Sequence, residues 1–501
     1  MSDAADQRAR RLEKVEKLRA AGIEPYPVRF DRDRTLAELR DQHGGLDPGT
    51  ETDRVVRVAG RILLHRRQGR LAFATLRDGT GSIQLFVALD TLGAARSADF
   101  DDLDLGDWIG VEGTVMTTRK GELSVKISSF ELLSKAIRPL PDKWHGLADV
   151  DTRFRRRYVD LIANDEARRV FDVRFAVLRA VREFLDRRGF VEVETPVLHE
   201  AAGGAVARPF TTHHNALGSD LVLRIALELH LKRLVVAGFE RVYEIGRVFR
   251  NEGLSTRHNP EFTMLELYEA FVDYHDMMDL TEGLVVHAAR EAIGTTQVTV
   301  DDQTVDLTPP WERVPLLDLI ERHTGKRVHP ATDVGELQGV CDELDVLYEP
   351  GWDPGKLVLE IYEKTTEPNL VGPVFVTDYP RDVSPLARTH RDDPSLVERF
   401  EPVVCGRELG NAFSELNDPI EQRSRFDAQA ALREAGDVEA HGIDEDYVRA
   451  LEYGLPPCGG LGIGIDRLVM LLAGVTSIRE VILFPTLRPE APRETGDEEE
   501  R

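Results

Sequence analysis

The stretch that decides the fold is RVFRNEGLSTRHNPEFTMLELY, residues 247–268. Apolar runs at 242–249 and 262–271 enclose a short loop of polar and turn-forming residues, which predicts a long antiparallel hairpin. Arg250 and Glu252 are two residues apart and share one strand face, as do Phe262, Met264, Glu266 and Tyr268 on the returning strand. A face that mixes Arg, Glu, Phe and Tyr is a poor core and a good pocket. The arginine can grip a phosphate or carboxylate with its planar fork, the phenylalanine can cover a flat base, and the carboxylates can hold an ammonium group. One Arg-x-Glu alone reads as an exposed salt-bridged hairpin; the ordered set points to a binding site.

A second segment, GGLGIGIDRL at 459–468, alternates glycine with Leu and Ile and runs into the apolar stretch VMLLAGV. One face of such a strand is bare backbone, which a ligand can approach closely. Asp466 and Arg467 then open a predicted helix. The segment has no Lys-Ser/Thr of a phosphate loop and fits a dinucleotide fingerprint poorly, so the terminal arginine is its chemical group.

Together these segments resemble motifs 2 and 3 of a class II aminoacyl-tRNA synthetase, and the wider chain resembles the class II lysyl-tRNA synthetases of bacterial type from about residue 18 to 489. The stretches that carry the resemblance include LRAAGIEPYP (18–27), LPDKWHGLADVDTRFRRRYVDLI (140–162), GGAVARPFTTHHNAL (203–217), LRIALELHLKRLVVAGFERVYEIGRVFRNEG (223–253), GNAFSELNDP (410–419) and LPPCGGLGIGIDRL (455–468). The implied activity is lysine--tRNA ligation: L-lysine is activated with ATP to lysyl-adenylate and then transferred to the 3' end of lysine tRNA. The rival readings are an aspartyl- or asparaginyl-type relative, which Glu415 with Tyr268 argues against, and a divergent or non-catalytic tRNA-binding paralogue, which the intact Arg250, Glu401, Glu408 and Arg467 argue against.

The resemblance also assigns residues. Arg250 and Arg467 are the implied catalytic groups. Arg250, Glu252, Asn259, Phe262, Glu401, Glu408 and Arg467 would meet ATP, with Phe262 and Arg467 on either side of the adenine. Glu401 and Glu408 would hold Mg2+, a hard ion that favours oxygen ligands. Gly204 and Glu228 would take the α-amino group of lysine, Tyr268 and Glu415 its ε-amino group, and Arg250 its carboxylate. Glu266, Asn411 and Phe413 complete that pocket. Two positions depart from the common form of the family and flank Glu228: Leu227 stands where proline is usual, and His230 where tyrosine is usual.

The chain has 501 residues, 42% of them hydrophobic, enough for two or three domains with a large core. No run of about twenty apolar residues is present, so no membrane span is expected. The scattered Cys341, Cys405 and Cys458 form no CxxC pair, which suits a reduced, cytoplasmic setting. The net charge of −25 argues by itself against nucleic acid. Local sign governs binding, however, and basic residues cluster at 8–19, 65–70 and 153–157.

The expected fold class is α+β and multidomain: an N-terminal OB-fold β-barrel, then a class II synthetase catalytic domain with an antiparallel sheet surrounded by helices. Residues 1–50 read as an N-terminal helical extension whose stripe is Leu12, Val15, Leu18 and Ala21. Residues 51–140 contain five short strands with glycine turns and read as the barrel. The linker is at 141–152, the catalytic domain at 153–489 with an inserted helical segment at about 295–350, and an acidic, disordered tail at 490–501. A helix is predicted over 165–188 with the stripe Phe171, Phe175, Leu178, Val181 and Leu185; by resemblance this helix and the strand after it pair two copies into a homodimer. On the barrel, Arg66, Phe73, Gln84 and Glu122, with Arg67 nearby, are the implied readers of the anticodon, since an aromatic ring stacks an unpaired base and an amide or carboxylate reads its edge. Phe73 taken alone reads as barrel core. His213 and His214 lack ligand spacing and read as loop histidines.

Overall fold

The structure, a computed structural model, describes residues 2–88, 92–141, 147, 149–201, 203–205, 207–434 and 443–490. Residues 142–146 and 148 of the expected linker and 491–501 of the expected tail lie outside the described residues. The chain forms two compact units, Met1–Ala148 and Asp149–Arg501. No helix among the described residues is long and apolar enough to cross a membrane.

In the first unit, β1 (Glu51–Gln68), β2 (Leu71–Arg77), β3 (Ser82–Ala88), β4 (Trp108–Thr117) and β5 (Leu123–Ser134) close into a barrel in the order β1-β2-β3-β5-β4. Burial alternates along β2 and β3: Ala72, Ala74 and Leu76, then Ile83, Leu85 and Val87, fill the interior. Phe73 therefore points outward, correcting the core reading that its apolar character alone suggests. The helix Ser2–Ala20 turns part of its basic cluster inward. Arg11 is buried and donates to the carbonyls of Leu105, Ala136 and Arg138 at 3.2, 2.9 and 3.1 Å, and Lys14 pairs with Asp102 and Asp104.

The second unit contains β6 (Val191–Glu192), β7 (Leu198–His199), β8 (Thr211–His214), β9 (Ser219–Leu223), β10 (Arg241–Phe249), β11 (Glu261–Ala270), β12 (Gln297–Val300), β13 (Gln303–Asp306), β14 (Glu312–Pro315), β15 (Val374–Pro380), β16 (Leu396–Val403), β17 (Gly410–Ser414) and β18 (Cys458–Gly464). Eight of them form one sheet in the order β14-β15-β16-β17-β18-β11-β10-β6, antiparallel except for the parallel pairs at its two edges. The hairpin β10–β11 is the one the sequence predicts. One face of the sheet carries Leu265, Leu267, Ala412, Leu461 and Ile463 into a core shared with the helices Asp165–Asp186, Tyr274–Ile293 and Ile465–Ala473.

The helix Asp165–Asp186 is capped by Asn164, whose side chain accepts from the backbone of Glu166 and Ala167. Its buried face runs through Val170, Val173, Val177, Val181 and Phe184, while Phe175 is 46% exposed. Of the expected stripe, Phe171, Val181 and Leu185 are buried and Leu178 packs against the core, so only Phe175 leaves it, because the helix has more apolar residues than a single face can bury. The segment at 295–350 is mixed rather than helical: it holds the hairpin β12–β13 and the edge strand β14, strands of four residues each and too short to show a period. His213 and His214 lie on β8 rather than in a loop, and His213 Nδ1 sits 2.7 Å from Asp220 Oδ1 on β9.

Asp466, at the start of the helix Ile465–Ala473, fastens that helix to the hairpin. It is buried, one of its oxygens accepts from the Thr263 backbone at 2.6 Å, and the other pairs with the buried Arg174 of the helix Asp165–Asp186. Replacing Asp466 with alanine leaves Arg174 buried and unpaired, a loss of about 3–5 kcal/mol. The expected outcome is a marked fall in the denaturant midpoint of the unit that carries the sheet; an unchanged midpoint would show that the pair does not hold these elements together.

Candidate active site

The face of the sheet opposite the core carries the polar residues in rows. Strand pairing sets Tyr268, Gly460 and Phe413 side by side, and in the next row Glu266, Gly462 and Asn411. The glycines of β18 make this possible. A Cβ on Gly460 would stand 1.9 Å from Glu415 Oε1 and 2.6 Å from Tyr268 Cε1. Side chains from β11 and from the end of β17 therefore meet over bare backbone.

Three carboxylates crowd the floor of this pocket. Glu228, Glu266 and Glu415 are 6%, 6% and 1% exposed. Gly204, at φ +86°, lies against Glu228: a Cβ there would come 3.2 Å from Glu228 Cβ and 3.8 Å from its Oε2. Burial raises the Glu266 carboxyl to about 7, and the charge of Glu228 adds to that rise. Burial also raises Glu228 and lifts Glu415 well above the usual carboxylate range. Tyr268 donates to Glu266 Oε2 at 3.4 Å, and its ring edge and Glu415 Oε1 meet over Gly460. Glu415 Oε1 is buried without a hydrogen-bond partner among the described residues.

The pocket also contains a cation that the sequence reading did not single out. Lys232, fully buried, places its ammonium on both Glu228 and Glu415, and close to the rings of Phe413 and Tyr268 at 5.3 and 5.8 Å. Burial works against its charge, but the two glutamates more than offset that and hold its pKa well above the ordinary value. The spacing Glu228 to Lys232, four residues on the helix Glu228–Val236, was the available signal.

The departure at Leu227 has a visible consequence. Its backbone N–H, which a proline lacks, donates to Glu266 Oε1 at 2.9 Å. His230 packs on His199 with ring centroids 4.5 Å apart, and burial lowers its pKa to about 4, so it is neutral at neutral pH.

Arg250, just beyond β10, is held by its backbone bond to Pro260 O at 2.8 Å and donates from Nε to Ile225 O at 3.4 Å; its guanidinium lies 5.2 Å from the Phe262 ring. Glu252 is exposed on the loop that follows. Asn259 is turned inward, donating to Glu261 O at 2.7 Å and accepting from the Thr486 backbone at 3.3 Å, so its amide locks the loop instead of facing open space. Arg467 donates to Glu408 Oε2 at 2.8 Å and to the Glu408 carbonyl at 3.1 Å. Glu401 accepts from Tyr379 Oη at 2.9 Å and from Arg399 at 2.6 Å, and Arg399 in turn donates to Asn411 Oδ1 at 2.8 Å. Arg399 therefore ties the carboxylate pair to the pocket around Glu266 and Asn411, a link that only the strand register reveals. Burial and the neighbouring Glu408 raise the Glu401 carboxyl to about 7, and burial together with both of these acids does the same for Glu367. Three acids, Glu367, Glu401 and Glu408, here face two arginines, Arg399 and Arg467; an excess of carboxylate oxygen fits a divalent cation, and Glu401 and Glu408 are the residues that could hold one.

On the barrel, Phe73 and Gln84 both face outward. Phe73 lies beside Phe86 with ring centroids 5.5 Å apart, and the Arg66 guanidinium is 5.4 Å from its ring. Gln84 donates to Ser124 Oγ at 2.9 Å. Glu122 is exposed, 4.0 Å from Arg40, and Arg67 pairs with Asp101.

Residues 149–488 match the family of class II tRNA synthetases (D, K and N), and residues 56–133 match the OB-fold nucleic acid binding domain. The chain belongs to the class II tRNA synthetases. Within them it falls in the lysine--tRNA ligase family: it is 53% identical to the lysine--tRNA ligase of Moorella thermoacetica over 97% of this chain and 98% of that one, and 52% identical to that of Trichormus variabilis over 97% and 88%.

The raised Glu401 carboxyl has a consequence for pH. Protons and a divalent cation would compete for the same oxygens, so affinity for a cation there is expected to rise as pH climbs through about 7 and to fall below it. A Mn2+ titration followed by electron paramagnetic resonance is expected to tighten by about tenfold between roughly pH 6 and 8, as one proton is lost from the site. An affinity indifferent to pH, or to Glu401→Gln, would remove these residues from the cation site.

Proposed function

We propose that the chain joins L-lysine to lysine tRNA in two steps. The lysine carboxylate attacks the α-phosphate of ATP in line, and pyrophosphate leaves as lysyl-adenylate forms. A ribose hydroxyl at the tRNA 3' end then takes the lysyl group, and AMP leaves. The observation that carries this reading is the water-poor, carboxylate-lined pocket on β11, β17 and β18, with Arg250 at its margin.

In this reading the α-amino group lies by Gly204 and Glu228 and the ε-amino group by Glu415, whose unpartnered Oε1 supports the assignment. Tyr268, beside Glu415 over Gly460, shares the ε-amino group, and Glu266, Asn411 and Phe413 form the walls. Arg250 binds the substrate carboxylate and the α-phosphate, so its role is electrostatic and no protein nucleophile is needed. Phe262 and Arg467 flank the adenine, with Glu252 at the edge of the nucleotide and Asn259 keeping the loop in place. Magnesium held by Glu401 and Glu408 would supply positive charge to the phosphate oxygens. Arg66, Phe73, Gln84 and Glu122 on the barrel meet the anticodon. The same proposal includes a cytoplasmic location and a homodimer formed through the helix Asp165–Asp186 and the strand after it. Phe175, Val191, Val197 and Leu198, each at least 40% exposed, support that pairing.

ATP–pyrophosphate exchange across the twenty amino acids tests the reading: lysine alone is expected to give rapid exchange, and preference for another amino acid would overturn it. Arg250→Lys keeps the charge but loses the planar fork, and is expected to slow lysine-dependent exchange by about a hundredfold; near-normal exchange would remove Arg250 from the reacting groups. Phe73→Ala is expected to weaken tRNA recognition by about 1–3 kcal/mol of stacking. Aminoacylation at limiting tRNA falls while tRNA-free exchange is preserved; an equal loss in both would mean that Phe73 does not act through tRNA.

A further inference from the structure

A lysine side chain withdrawn completely from water is rare unless its charge is matched. Lys232 is matched twice. Its ammonium lies between Glu228 Oε1 and Glu415 Oε2, while the second oxygen of each glutamate is left for other use: Glu228 Oε2 on the side of Gly204, and Glu415 Oε1, unpartnered, over the bare backbone of Gly460. The pocket contains three carboxylates, Glu228, Glu266 and Glu415, and one resident ammonium. Carboxylates thus outnumber ammonium groups in the pocket, and free lysine brings two ammonium groups.

We propose that Lys232 is a specificity-setting positioning residue: its ammonium holds Glu228 and Glu415 in place between them and turns one oxygen of each toward the two amino groups of the substrate. The inference rests on the lysine reading above. Without the resident charge, two buried carboxylates face each other with only water or a proton to relieve their repulsion. They either move apart or take up protons, and a protonated carboxyl grips an ammonium poorly. With it, both are drawn back toward the ionised form and fixed, and the remaining acidity suits a diamino acid. The titratable groups facing this ammonium are Glu228 on its own helix, Glu266 and Tyr268 on β11, Glu415 after β17, Tyr447 on the helix Glu445–Glu452 and Cys458 at the start of β18. Tyr268, Tyr447 and Cys458 are all raised by burial and stay neutral, so the balance is struck among the three glutamates and the lysine.

The test is ATP–pyrophosphate exchange with the full-length enzyme, comparing the parent with Lys232→Gln and Lys232→Arg. Glutamine keeps donors for both glutamates but removes the charge. The lysine KM is expected to rise by about a hundredfold, the scale for unbalancing a buried ionic group, while the ATP KM stays within about twofold. The acid limb of kcat/KM for lysine is expected to move to higher pH, because carboxylates without a cation release protons later. Lys232→Arg keeps the charge at a shifted position; it is expected to raise the lysine KM but leave the acid limb at the parent's pH. A Lys232→Gln enzyme with the parent's lysine KM and pH profile would overturn the proposal. So would lysine and ATP KM values that rise together with no change in the limb, since that is the mark of a purely structural lysine. If Lys232→Gln does not fold, the Arg variant decides: a displaced limb overturns the proposal. A parent enzyme without lysine-dependent exchange would sink the lysine reading itself, whereas parent exchange with an unaffected Gln variant would sink only the role of Lys232.

Discussion

The bare face of β18 is the constraint on which the site depends. The strand lies in the middle of the sheet, between β17 and β11, where an antiparallel strand packs large apolar side chains on its core face. Its core face obeys that rule with Leu461 and Ile463. Its other face is glycine, and Gly460 cannot be anything else without displacing Glu415 and Tyr268. Because the middle of the sheet is low, groups from both sides lean over it and meet. The helix that follows β18 then brings Arg467 to the margin, and Asp466 anchors that helix through Thr263 and Arg174.

The second theme is charge withdrawn from water. The Glu228–Glu266–Glu415 pocket and the Glu401–Glu408 pair each gather more carboxylates than nearby cations fully balance, and burial raises the affected acids. In the pocket the partial balance comes from Lys232; at the pair it comes from Arg399 and Arg467. The remaining deficit is what a diamino acid and a divalent cation would satisfy. The acidity of the whole chain follows a different logic: the barrel presents its outward Phe73 and Arg66 locally, whatever the sign of the total charge.

The chain's departures beside Glu228 also find physical consequences. Leu227 adds a backbone donor to Glu266, which draws down a carboxyl that burial raises. His230, kept neutral by burial, adds no charge to the pocket.

The sequence by itself determined most of the elements. Alternation marked the barrel strands and the hairpin, the glycine run marked β18, and Arg250, Glu266, Tyr268, Asn411, Phe413, Glu415 and Arg467 stood out because the motifs that hold them resemble those of a known family. What the tertiary structure alone decided depends on which elements become neighbours. Phe73 faces outward because the barrel closes around its neighbours Ala72 and Ala74. Phe175 is exposed because Phe184 and Val177 took the core face of its helix. Asn259 turns to its own loop, Arg399 spans two halves of the site, and Lys232 stands between glutamates 187 residues apart in number, Glu228 and Glu415, because strand order brings the end of β17 over the start of a helix far earlier in the chain. Local pattern fixes what a residue's own element is; long-range pairing fixes what it touches.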